Sequence, residues 1–297
     1  MIEAGSQVTD KGWQAAILQD LKNTLVTKPW SRELFLRGSL AHGLADGESD
    51  VDLVVAILEQ EFDSAVKELV FTLPQSLPGK LPPWFDTIVR DFGGVGLVYL
   101  LQIDEHKWGE LDVYALPANR RQQFVDNDRA RSLWKRCSSA DCGDAKPPNV
   151  DNTRRYYSHL ASCDPQQAVL ACYLTIFLLR KRLLRRDRFQ TFSDTYAAAL
   201  SVRDLIVRTC YPGRPEHGWY GLEKVVERAP APTLISRVLS QFAQYDVFDP
   251  TGLSARVEGL EELVALLVPV TWREHGESLR RLGAYISGPK CHAEVLR

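Results

Sequence analysis

The chain has 297 residues, 45% of them hydrophobic, which is enough apolar material for one large core or, more typically, two smaller ones. Its formal net charge of −2 argues against a strongly basic nucleic-acid-binding protein. The longest apolar run, residues 168–179, is too short to cross a bilayer, and the N-terminal residues lack the pattern of an export signal, so we expect no membrane partner.

The first part of the chain alternates between helix-like and strand-like segments, separated by turn-forming residues. The predicted elements are a helix at residues 11–25, strands at 34–37 and 51–57, a helix at 62–73, a proline-rich loop at 73–83 and a strand at 85–90. A few strands with flanking helices predict an α/β (α+β) domain built on a short mixed sheet.

Two acidic residues and a glycine–serine pair lie close together around the second predicted strand. Asp50 and Asp52 are two residues apart in an apolar run, so on a strand both side chains point to the same face. Neighbouring carboxylates repel each other, and a divalent cation that prefers oxygen ligands, above all magnesium, relieves that repulsion. Upstream, Gly38 lets the backbone approach a ligand closely, and Ser39 offers a hydroxyl and an N–H to an anion. Together they predict nucleotidyl transfer from a magnesium-bound nucleoside triphosphate.

The Gly-Ser pair, the spacer and the Asp-x-Asp between apolar residues resemble the signature of the DNA polymerase beta-like nucleotidyltransferase superfamily. The spacer is similar to that of the minimal nucleotidyltransferases and the antibiotic-modifying (lincosamide- and aminoglycoside-type) adenylyltransferases. The resemblance implies two magnesium ions held by Asp50, Asp52 and a third carboxylate, with Gly38 and Ser39 binding the β- and γ-phosphates. Arg37, directly before the glycine, is a further candidate nucleotide contact, and plain surface charge is its alternative interpretation.

The superfamily requires its third carboxylate on a neighbouring strand. Two apolar runs, residues 95–103 and 108–116, are joined by four polar residues and predict a β-hairpin. Asp112 lies in the middle of the second run, where a charge is expected only if it faces the metal site. Glu110, two residues earlier on the same face, is the alternative. By the resemblance, this carboxylate would complete one metal site or take the proton from the acceptor hydroxyl as general base.

From about residue 140 onward the sequence is helical. The polar segment 138–149 predicts a linker, so we assign residues 1–140 to a catalytic domain and residues 141–297 to a helical bundle. The predicted helices are residues 166–186, 193–210, 222–228, 233–245, 253–267 and 272–286. The first ends in a basic stretch in which Lys181 and Arg182 are candidate nucleotide contacts. Alternatively, this basic turn only complements the helix dipole.

In the resembled antibiotic-modifying enzymes, the helical bundle supplies the acceptor side of the cleft. Trp219 and Tyr220 are candidate acceptor contacts because aromatic rings stack on planar ligands, although inter-helix packing is an alternative. We therefore expect transfer of AMP from ATP to a hydroxyl of a small, antibiotic-like molecule, an antibiotic-resistance activity, with GTP open as a donor. The alternatives are a signalling or toxin-type enzyme acting on a nucleotide, tRNA or protein hydroxyl, or a non-catalytic, antitoxin-like binding subunit.

The cysteines show neither metal-type nor redox-type spacing. They are Cys137, Cys142, Cys163, Cys172, Cys210 and Cys291. Reduced thiols in a cytoplasmic protein are the simplest interpretation of this scattered pattern. The sequence leaves the oligomeric state open.

Overall fold

The computed structural model describes residues 12–86, 93–122, 130–136, 150–212, 219–243 and 252–288. The chain divides into two compact units, Met1–Ser158 and His159–Arg297. The sequence placed the division at residue 140, whereas here it falls within the helix Val150–Cys163. The first turns of that helix belong to the first unit because Thr153 Oγ1 donates a hydrogen bond to Asp63 Oδ1 (2.9 Å) and the Tyr157 ring packs edge-on against Phe85.

Among the described residues of the first unit, six strands form one mixed sheet. They are β1 (Ser31–Leu36), β2 (Val51–Ile57), β3 (Trp84–Asp86), β4 (Val95–Asp104), β5 (Lys107–Pro117) and β6 (Arg131–Lys135). Their order in the sheet is β3-β4-β5-β2-β1-β6, and of these described strand pairs only β2 and β5 run parallel. A mixed sheet with helices is an α/β structure, so the predicted class is confirmed at that level. The β4–β5 hairpin and strand β2 are also confirmed, within one residue at each end.

The helical segments of the first unit follow the sequence prediction in part. They are α1 (Trp13–Leu25), α2 (Gly38–His42), α3 (Phe62–Lys67), α4 (Leu73–Ser76) and α5 (Val150–Cys163), which continues into the second unit. The predicted helix 62–73 is an α-helical start followed by a π-helical turn at Glu68–Thr72. The predicted strand 85–90 is described only as far as Asp86, and the predicted linker 138–149 lies outside the described residues.

The two faces of the sheet differ in polarity. On one face, Leu53, Val55 and Ile57 of β2 are fully buried, and Tyr99 of β4 donates a hydrogen bond to the Leu69 carbonyl oxygen (2.8 Å) of the π-helical turn. The opposite face carries an apolar cluster that includes Val54 and Tyr114. Asp52 and Asp112 share this second face. Buried apolar residues thus cover both faces, and the second face also carries these two carboxylates.

A half-buried ion pair connects the π-helical turn to the residues just before β1. Lys28 Nζ lies 2.5 Å from Glu68 Oε1, and Trp30 Nε1 donates a hydrogen bond to Glu68 Oε2 (2.9 Å). Burial raises the pKa of Glu68, but the hydrogen bonds from Lys28 and Trp30 outweigh it and leave that pKa below its ordinary value of 4.5. The charged form of Glu68 therefore stabilises the folded state.

Glu68→Gln should lower the free energy of unfolding at pH 7 by about 0.5–1 kcal/mol. Since the folded pKa is depressed, this contribution is present above pH 4.5 and is lost as the pH falls through the folded value. Urea unfolding at a series of pH values should thus show a gap in the free energy of unfolding between variant and wild type that is full at pH 7 and shrinks as the solution is made acidic. Glu105→Gln, at an exposed turn, is the control; a gap that persists unchanged in acid would contradict the assignment.

The described part of the second unit is helical. After α5, its helices are α6 (Pro165–Arg185), α7 (Arg188–Cys210), α8 (Leu222–Glu227), α9 (Pro232–Ala243), α10 (Gly252–Leu267) and α11 (Pro269–Ile286). Asp164 and Asp187 accept hydrogen bonds from backbone N–H groups at the starts of α6 and α7, which fixes where these two helices begin. No helix in the described ranges is long and apolar enough to cross a membrane.

Candidate active site

The parallel pairing of β2 and β5 brings the predicted carboxylates together. Asp52 is the register partner of Asp112, just as Val51 is of Leu111. Partners on adjacent strands present their side chains to the same face, so the two carboxylates are neighbours. Asp50 comes one residue before β2 begins, two residues from Asp52. Three acidic side chains from two distant segments therefore lie near enough for the charges of Asp50 and Asp52 to act on Asp112.

Asp112 has an unusual environment for a carboxylate. Only 8% of the residue is exposed, whereas Asp50 and Asp52 are half-buried. Burial raises the pKa of Asp112 well above its usual range, and the negative charges of Glu110, Asp52 and Asp50 raise it further. Its Oδ2 accepts a hydrogen bond from the Tyr114 hydroxyl (3.0 Å). Its Oδ1 is buried and has no hydrogen-bond partner among the described residues.

This carboxylate set fits a divalent cation. The buried carboxyl of Asp112, whose pKa burial and the neighbouring negative charges raise, has one oxygen without a hydrogen bond among the described residues, and an oxygen-ligated cation would compensate both. Within the described ranges, no three His, Cys, Asp or Glu side chains stand ready as a metal-binding group. Asp52 and Asp112 would therefore have to turn toward a shared ion. Glu110 is buried beside Asp112, but Asp112 is the residue paired with Asp52, which favours it as the third ligand.

Gly38 places the glycine–serine turn directly against Asp52. The backbone N–H of Arg37 donates to the Asp52 carbonyl oxygen (3.0 Å), and Gly38 then takes a positive φ of 62°. A Cβ atom at Gly38 would overlap Asp52 Oδ2 and lie 3.0 Å from its Cγ. Only glycine accepts both the dihedral angle and the contact. Ser39, in the first turn of α2, is half-buried beside this site.

The loop before Asp50 is held by a residue that the sequence analysis did not single out. Gln14 of α1, 3% exposed, donates its side-chain amide to the carbonyl oxygens of Asp46 (2.9 Å) and Ser49 (3.2 Å). Asp46 also accepts a hydrogen bond from the Ser49 hydroxyl (2.8 Å). In the sequence, the position of Gln14 on the apolar face of the predicted helix could have indicated this role, because a buried polar side chain is normally hydrogen-bonded.

Arg37 packs on the aromatic ring next to Asp112. Its guanidinium carbon lies 4.8 Å from the centre of the Tyr114 ring. Tyr114 is two residues beyond Asp112 on β5 and therefore on the same face of the sheet. The predicted nucleotide contact of Arg37 stays a prediction, and its structural role at Tyr114 is additional.

No protein-family model matches this chain. A search of curated proteins finds no significant match either. A function for this protein therefore has to be inferred from the geometry and chemistry of the site itself.

The remaining predicted site residues lie in the second unit. Lys181 is buried on α6 with its Nζ 5.5 Å from the centre of the Phe177 ring, and Arg182 Nε lies 3.3 Å from Asp194 Oδ2. Trp219 is 41% exposed, and Tyr220 is 90% exposed. Lys181 and Arg182 thus have structural contacts within their own unit. Their role in nucleotide binding, and that of Trp219 and Tyr220 in acceptor binding, stay predictions.

Proposed function

We propose that this protein is a magnesium-dependent nucleotidyltransferase that transfers AMP from ATP to a hydroxyl of a small, antibiotic-like acceptor and releases pyrophosphate. The observation that carries the proposal is the pairing of Asp52 with Asp112 across parallel strands, with Asp50 alongside and Asp112 Oδ1 buried without a hydrogen bond. Such a carboxylate set next to a tight glycine turn is suited to a cation-bound triphosphate.

Each residue of the site has a part in the proposed reaction. Asp50, Asp52 and Asp112 would hold magnesium, which when bound neutralises phosphate charge and favours in-line displacement. Gly38 and Ser39 would bind the β- and γ-phosphates, and the acceptor oxygen would form its bond to the α-phosphorus as the bond to pyrophosphate breaks. Asp112 is also a candidate to take the proton that the acceptor hydroxyl loses.

The donor and the acceptor can be identified in one experiment. The protein is incubated with each nucleoside triphosphate and magnesium and, in separate reactions, with a panel of hydroxylated antibiotics, with tRNA or with a protein mixture, and the products are analysed by mass spectrometry. The mass of AMP added to a small molecule is the expected result. The mass of a nucleotide added only to tRNA or protein would instead favour the signalling or toxin-type alternative, and no adduct with any donor would contradict the proposal.

Ser39→Ala should weaken the binding of magnesium-ATP by about 1–2 kcal/mol through loss of a charge-assisted hydrogen bond. The affinity for adenosine, which has no phosphates, should not change. Isothermal calorimetry with both ligands measures the difference. The control is Ser240→Ala, because the Ser240 hydroxyl is exposed and donates a local hydrogen bond, to the Ser236 carbonyl oxygen. Equal weakening of both ligands would indicate that Ser39 shapes the pocket instead of binding phosphate.

A further inference from the structure

Tyr114 lies inside the apolar cluster on the carboxylate face of the sheet. It is 3% exposed and packs with Phe35, Val54 and Leu116. Its neighbours across the sheet are Val54 on β2 and Gly96 on β4. A phenylalanine would fill this space equally well, so packing alone does not explain the hydroxyl.

The Tyr114 hydroxyl makes the two oxygens of Asp112 different from each other. It donates to Oδ2 at 3.0 Å, while Oδ1 is buried and has no hydrogen-bond partner among the described residues. The guanidinium carbon of Arg37 lies over the Tyr114 ring, 4.8 Å from its centre. A ring packed in an apolar cluster and stacked by a cation has little freedom to turn. The hydroxyl is therefore a fixed donor.

We propose that Tyr114 is a positioning residue for the reaction: its hydroxyl fixes the carboxylate of Asp112 so that Oδ1 stays available to a bound divalent cation. This inference rests on the proposed function because it takes Asp112 as a cation ligand. Hydrogen-bond partners of metal ligands orient those ligands, and their removal commonly weakens metal binding or activity by about 10- to 100-fold. Tyr114 itself touches neither the substrate nor the reacting atoms.

The neighbouring strand offers a matched control for this hydroxyl. Tyr99 on β4 is also fully buried and also donates one hydrogen bond, but its acceptor is the Leu69 carbonyl oxygen on the opposite face of the sheet. Tyr99→Phe and Tyr114→Phe each remove one buried, hydrogen-bonded hydroxyl and keep the ring. A general effect on the fold should appear in both variants, whereas an effect on the cation site should appear only in Tyr114→Phe.

The test is the binding of Mn²⁺ to the nucleotide-free protein, followed by electron paramagnetic resonance, for wild type, Tyr114→Phe, Tyr99→Phe and Asp112→Asn. We expect the Kd for Mn²⁺ to rise about 10- to 100-fold in Tyr114→Phe and not to change measurably in Tyr99→Phe. Once the acceptor has been identified, kcat of Tyr114→Phe should fall by a similar factor, while its KM for magnesium-ATP should stay within about threefold of the wild-type value. Thermal unfolding checks that both Phe variants fold.

The outcomes separate the two proposals. Weak Mn²⁺ binding in Asp112→Asn with wild-type binding in Tyr114→Phe would overturn the role of Tyr114 and leave the proposed function standing. Wild-type binding in Asp112→Asn, or no binding by the wild-type protein, would overturn the cation site and the positioning role with it. Equal losses in Tyr114→Phe and Tyr99→Phe would show a general effect of lost buried hydroxyls and would also overturn the positioning role.

Discussion

Asp52→Asn should lower turnover by about three orders of magnitude or more and leave the fold intact. The carboxamide has nearly the same shape as the carboxylate but offers no charge to a cation, so the loss is chemical. In the cation-free protein the same change removes repulsion with Asp112, whose pKa the charge of Asp52 raises. The free energy of unfolding should therefore stay equal to that of wild type or increase. Pyrophosphate release and urea unfolding measure the two quantities.

Asp20→Asn is the control for this variant because it makes the same chemical change at an exposed position of α1. It should keep wild-type turnover. Magnesium-dependent turnover near the wild-type level in Asp52→Asn would remove Asp52 from the metal site. A clear loss of stability would show instead that the carboxylate has a structural role.

Gly38→Ala should abolish most of the activity, by about a hundredfold or more, and lower the free energy of unfolding by about 1–2 kcal/mol. The stability loss follows from the positive φ of 62°, which alanine adopts only with strain. The activity loss has a separate cause, since the new Cβ atom would overlap Asp52 Oδ2 and force that carboxylate to move. Initial rates and urea unfolding again separate the two effects.

Gly43→Ala separates the effect of a strained φ from the effect of a contact with Asp52. Gly43 also has a positive φ, of 71°, but a Cβ atom there would meet no other atom within 4 Å. The variant should therefore lose a similar amount of stability and keep its turnover. If Gly38→Ala and Gly43→Ala reduce turnover equally, the contact between Gly38 and Asp52 is not what activity depends on.

The elements that the sequence predicted best are those whose signals are local. The β4–β5 hairpin is two apolar runs around a polar turn, and β2 is a short, almost wholly apolar segment that follows Asp50, so both are recognisable without knowledge of the rest of the chain. Strand β6 was missed because its residues, Arg131–Lys135, are mostly exposed or half-buried and show no apolar alternation. It becomes a strand through pairing with β1.

The candidate site was predictable in its residues but not in its assembly. The spacing of Asp50 and Asp52 already places them on one face of a strand. That Asp112 lies opposite Asp52 depends on a parallel pairing between segments far apart in the sequence, which no local pattern specifies. The hydroxyl of Tyr114 and the amide of Gln14 were missed for the same reason, because each acquires its partner only through tertiary contacts.

The ladder between β2 and β5 ties the chemistry of one face of the sheet to the packing of the other. Seven consecutive pairs, from Val51–Leu111 to Ile57–Pro117, set the alignment of these strands. A slip by a single residue would carry Asp112 to the far side of the sheet and would at the same time bring Leu111 and Val113 out of the core. The burial of the apolar side chains thus fixes the register that aligns the acidic ones. A conformation with misaligned carboxylates would also expose apolar side chains, so its free energy would be higher than that of the native fold.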